Sequence, residues 1–94
     1  MSYTTVSHWT ATEWTEEMED IARTKFVPLI MSCGADRVRM IRTGDLEFCV
    51  VTEYGNEDIA KNAQERIAEI RGQAANELPM TMTSSHAGGI FAEG

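Results

Sequence analysis

The sequence predicts an α+β fold of the ferredoxin-like βαββαβ kind, one antiparallel sheet carrying two helices on a single face. Three observations predict it. Two amphipathic helix patterns lie among four short runs of strand character, in the order strand–helix–strand–strand–helix–strand. The second and third strand runs meet at Gly44-Asp45, a hairpin signal. The chain has 94 residues, the size of one domain, so residues 1–94 are expected to share one core, with 87–94 as a C-terminal tail.

Residues 3 to 9 alternate Tyr3, Thr5, Ser7 and Trp9 with Thr4, Val6 and His8, and β-branched and aromatic types dominate, which predicts the first strand. Thr10 and Glu13 have capping-box spacing, Thr12 competes as the cap, and Trp9 and Trp14 fit a hydrophobic staple at the start of the first helix. Met18, Ile21, Ala22, Phe26 and Leu29 continue its apolar stripe from Trp14, and Glu13, Glu16, Glu17, Glu19 and Asp20 sit where the helix dipole favours negative charge. Pro28 is expected to kink or end that helix, and Gly34 to stop it.

Residues 36 to 43 and 46 to 54 read as the hairpin strands. A two-residue loop at Gly44-Asp45 sets Arg42 opposite Glu47, Met40 opposite Cys49, Arg39 opposite Val50 and Val38 opposite Val51. Asn56 is an N-cap signal for the second helix, whose apolar stripe is Ile59, Ala63, Ile67, Ile70 and Ala74. Glu57 and Lys61 form a favourable four-residue pair, and Pro79 forbids continuation. Residues 80 to 86 read as the fourth strand.

Composition excludes several functions. The net charge is −7, with 15 acidic against 8 basic residues, which argues against nucleic-acid backbones and anionic membrane surfaces. No apolar run approaches the roughly 20 residues of a membrane helix. Cys33 and Cys49 form no Cys-x-x-Cys pair, and the N-terminal segment lacks the pattern of a secretion signal, so a cytoplasmic protein with reduced thiols is expected. Phosphate loops and metal-ligand spacings are absent, so neither a metal nor a cofactor is expected from the sequence.

In sheet order 4-1-3-2 the helix-facing side is expected to carry Val6, Val38, Met40, Cys49, Val51, Met80 and Met82. The opposite side then holds Tyr3, Ser7, Trp9, Arg39, Phe48, Val50, Tyr54, Thr83 and Ser85 among others, a mixture of aromatic, hydroxyl and cationic groups poorly suited to water. A second copy packed face to face would cover it.

The strand order resembles that of the dimeric α+β barrel superfamily, as do Phe26-Val-Pro-Leu-Ile at the helix end, Cys33-Gly-Ala-Asp-Arg-Val-Arg after it and the hairpin Arg42-Thr-Gly-Asp-Leu-Glu-Phe. That superfamily includes antibiotic-biosynthesis-type monooxygenases and ethyl-tert-butyl-ether-degradation-type proteins. The resemblance implies a homodimer joined through its sheets and a small-molecule cavity, as in cofactor-independent oxygenases acting on a small aromatic or acidic metabolite. The superfamily also contains proteins without known activity, so a non-catalytic binding or assembly module is the alternative.

Candidate site residues follow from strand position. Arg39 is the candidate anchor for an anionic ligand, or else one half of an ion pair. Trp9 and Tyr54 are candidates to frame an aromatic ring. Thr83, with Ser7, Thr5, Thr81 and Ser85, supplies a hydroxyl wall across neighbouring strands. His86 and Ser7 are the candidate proton-handling groups. His8 and His86 are expected at opposite ends of their strands, which argues against a shared metal.

Overall fold

A computed structural model describes residues 2–94 of the protein. The elements are β1 (Tyr3–Ala11), α1 (Glu16–Ile21), a π-helical turn (Ala22–Phe26), α2 (Val27–Met31), β2 (Arg37–Gly44), β3 (Glu47–Tyr54), α3 (Glu57–Glu77) and β4 (Met80–Gly89). The four strands form one antiparallel sheet in the order β2-β3-β1-β4, the predicted order read from its other edge. Among the described residues no helix is long and apolar enough to cross a membrane.

The first helical segment starts later than its sequence signals suggest. Thr10 remains in β1, so the capping box does not form. Thr15 is the N-cap, and its hydroxyl accepts from the Met18 amide at 3.2 Å. Pro28 does not end the helix. It sits in the first turn of α2, where a missing amide hydrogen costs little, and the π-helical turn directly before it accommodates the lost bond. Gly34 then closes the segment at φ 102°, a region open to glycine, and a Cβ there would lie 3.3 Å from Ile59 Cγ2.

The other helix begins at the expected cap, but Ala60 takes the place of the exposed Ile59 on its buried stripe. Asn56 accepts from the Ile59 amide at 2.9 Å, and α3 buries Ala60, Ala63, Ile70 and Ala74 along one stripe. Lys25 ties the two helical layers together, with Nζ 2.7 Å from Glu77 Oε2.

The hairpin turn is Asp45-Leu46, not Gly44-Asp45. Gly44 pairs with Glu47, and an irregularity between Arg42 and Gly44 takes up one residue. Arg42 therefore faces Phe48, Met40 faces Val50, Arg39 faces Val51 and Val38 faces Thr52. One residue of slip reverses the parity between two strands.

The faces of β1 and β3 are accordingly the reverse of those expected. Ser7, Trp9, Ala11, Phe48, Val50, Thr52 and Tyr54 are buried beneath the helices, whereas Val6, Cys49 and Val51 occupy the outer face. Val38, Met40 and Met80 do pack on the helix side. The physical reason is area. Trp9, Phe48 and Tyr54 remove far more apolar surface from water than Val6, Cys49 and Val51, so their face takes the core.

Candidate functional site

The cleft lies between the inner sheet face and the helices. Its inner chamber, about 60 Å³, is lined by the hydroxyl-bearing Thr5, Ser7 and Thr52, by Trp9 and Phe48, and from α3 by Arg71 and the apolar Ile67 and Ile70. The outer groove, about 320 Å³, is lined by Trp14, Met18, Glu19, Arg23, Val27 and Arg42. Ala22, Met40, Phe48 and Met80 line both, so the two are neighbouring parts of one cleft.

An aromatic row forms the wall of this cleft. Trp9 stacks on Phe48 with ring centroids 5.9 Å apart, and Trp14 meets the same Phe48 edge-on at 5.6 Å. The Arg42 guanidinium lies 4.5 Å over the Trp14 ring while its nitrogens donate to the turn carbonyls of Gly44 and Asp45 at 3.2 and 2.8 Å. Trp14 Nε1–H donates to Glu19 Oε2 at 2.7 Å, which pins the groove's rim.

In the inner chamber, Trp9 Nε1–H donates to Ser7 Oγ at 2.9 Å. That bond uses an acceptor site of Ser7 and leaves its O–H free to donate. Of the three arginines lining the cleft, Arg23 is paired with Asp20 at 2.7 Å and Arg42 is held by the turn. Arg71 forms no ion pair among the described residues. Burial lowers its pKa from the usual guanidinium value, and Tyr54 opposes that shift. The Tyr54 phenol is in turn raised by burial, with Cys33 adding to the rise and Arg71 pulling against it.

The sequence-predicted site residues divide between the two faces. Ser7 and Trp9 meet in the inner chamber. Tyr54 is buried on the same side, though it lines neither chamber. Arg39 lies elsewhere, on the outer face, exposed and 3.4 Å from Glu53. His86 is exposed opposite Val6 on that same face, and the Thr83 hydroxyl donates to the His8 carbonyl at 3.1 Å. β1 and β4 extend beyond the expected ends, so His8, opposite Ser84, and His86 are diagonal neighbours on the outer face instead of lying far apart. Among the described residues no group of three His, Cys, Asp or Glu is arranged to hold a metal.

Arg71 and Trp14 are among the cleft residues missing from the sequence-derived set, as are Phe48, Thr52 and Arg42. The signal for Arg71 was its place on α3, between Ile67 and Ala74 on the buried stripe, where a cation is unexpected.

No protein-family model matches the sequence, and no curated protein matches it either. Solved structures do match its fold. SnoaB of Streptomyces nogalater, a cofactor-independent oxygenase crystallised as its N63A mutant, superposes with a TM-score of 0.72 at 17% identity, over 98% of this chain and 95% of that one. MupZ of Pseudomonas fluorescens superposes with a TM-score of 0.72 at 13% identity, over 92% of this chain and 69% of that one. A dimeric ferredoxin-like protein from an uncultured marine organism gives 0.67 at 13% identity, over 99% and 97%. The chain therefore shares the ferredoxin-like fold of these structures.

Proposed function

We propose that this protein binds a small aromatic or acidic metabolite in the cleft beneath its helices and acts on it as a cofactor-independent, oxygenase-like enzyme. The observation carrying this reading is the two-part cleft itself, with an aromatic wall at Trp14 and Phe48 and a polar inner end at Ser7. An electron-rich aromatic that gives a proton to bulk solvent before it enters, becoming an enolate or phenolate, can itself reduce O2. One oxygen atom enters the substrate as a carbonyl in place of CH2, and the other leaves as water. The chain's own contribution is to hold the anion, keep water out and supply hydrogen bonds to developing negative charge. Ser7 is suited to the last role because its O–H remains free while Trp9 fixes its oxygen.

The outer face supports a homodimer. Val6, Val51 and Ile41 form an apolar centre there, Ile41 is 46% exposed, and the Arg39–Glu53 pair lies alongside. A second copy on this face would leave each cleft on the far side of its own sheet. The same outer-face ion pair favours the second reading, a non-catalytic dimeric module, in which the cleft binds without turning over.

Oxygen-electrode assays with a panel of hydroxynaphthalenes separate the readings. The oxygenase reading expects protein-dependent O2 uptake with at least one member, reduced tenfold or more in Ser7→Ala. Saturable binding without O2 uptake across the panel would leave the binding module.

A further inference from the structure

Arg71 is the one guanidinium lining the cleft that is neither ion-paired nor tied to a backbone turn among the described residues. It is half-buried on α3, in a chain whose net charge is −7, and it lines the inner chamber together with the Ser7, Thr5 and Thr52 hydroxyls. Desolvating a cation without a counter-ion is unfavourable, so a half-buried, unpaired guanidinium facing the chamber favours an anion that arrives with the ligand. Chamber sizes then set the orientation. The smaller inner chamber, about 60 Å³, suits a carboxylate, and the larger groove beside Trp14 and Phe48, about 320 Å³, suits the ring. From these observations we infer that the ligand is an aromatic carboxylic acid bound head-inward, its carboxylate between the Arg71 guanidinium and the Ser7 hydroxyl and its ring in the outer groove against Trp14. This assignment rests on the cleft reading above and adds the charge, the group that recognises it and the direction of entry.

The test is calorimetric titration of the full chain with naphthoate and with naphthamide, which share a ring and differ in charge. The wild type is expected to bind naphthoate about tenfold or more tighter than naphthamide. Arg71→Met is expected to abolish that preference by weakening naphthoate and leaving naphthamide within about twofold, Arg71→Lys to retain part of it, and exposed Arg66→Gln to keep it whole. Equal binding of both probes by the wild type, or a preference that survives in Arg71→Met, overturns the inference while leaving the cleft as a binding site. Failure of both probes to bind the wild type overturns the cleft reading and this inference with it. The wild-type comparison decides the matter even where Arg71→Met does not fold.

Discussion

The two faces of the sheet are built from the same strands with the same alternation, and they solve opposite problems. The inner face concentrates bulk: Trp9, Phe48 and Tyr54 are at most 7% exposed and pack under two helical layers. The outer face carries Val6, Val51, Ile41, Cys49, the two histidines and the Arg39–Glu53 pair, with no element of this chain above it. Charge is also divided. The outer arginine has its carboxylate and is exposed, while Arg71 on the inner side is half-buried without one. What the comparison teaches is that a paired, exposed cation marks an ordinary surface, whereas an unpaired, half-buried one marks a place prepared for something else.

The largest effects should come from emptying the inner face. Trp9→Ala removes a buried ring, its stack on Phe48 and its bond to Ser7, and is expected to cost about 3–5 kcal/mol in urea denaturation. Val51→Ala, on the outer face, is expected to cost about 1 kcal/mol or less in the dissociated chain. Equal losses at the two sites would erase the distinction between the faces. A charge on the outer face sharpens it differently: Val51→Lys should convert the proposed dimer to a monomer in sedimentation velocity, with circular dichroism unchanged. A dimer that persists would move the interface off this face.

Smaller effects distinguish the two arginines. The lowered pKa of Arg71 means that its charged form is less favourable in the folded chain than in the unfolded one, so the cation subtracts from stability at neutral pH. Arg71→Met should therefore raise the stability of the unliganded protein, measured as a higher midpoint in thermal unfolding. Arg39→Gln should change it by no more than about 0.5 kcal/mol, because an exposed pair contributes little.

The smallest expected effect is a pH dependence away from both faces. The Glu77 carboxyl is held below its usual pKa, chiefly by the hydrogen bond from Lys25. A depressed carboxylate contributes stability that is present above its unfolded pKa and lost as pH falls through the folded value. Lys25→Met should therefore flatten the acid limb of the stability profile, and an acid limb parallel to that of the wild type would show that the pair contributes nothing there.

Much of the fold was legible because its signals are local. The hairpin and the Asn56 cap are written in single residues, the α3 stripe in helical spacing, and strand order follows from the succession of elements. The choice of face was not legible in the same way. In β1, Tyr3-Thr5-Ser7-Trp9 and Thr4-Val6-His8 are both plausible inner sets by type. Only the total area of Trp9 with Phe48 and Tyr54 across the sheet decides between them, and that sum needs the register, which an irregularity at Thr43 shifts by one. The cleft inherits the same difficulty. Ser7 and Trp9 could be singled out as unusual strand residues; Arg71 interrupts the α3 stripe between Ile67 and Ala74, but what it faces emerges only once α3 is laid against the inner face.

The most direct test of the contrast between faces is an amide chemical-shift titration of the isotopically labelled protein with naphthoate. Saturable shifts are expected in the cleft alone, at Ser7, Trp9, Trp14, Phe48 and Arg71, with Val6, Arg39, Cys49, Val51 and His86 unmoved. Shifts that cluster on the outer-face residues, with the cleft silent, would contradict that contrast.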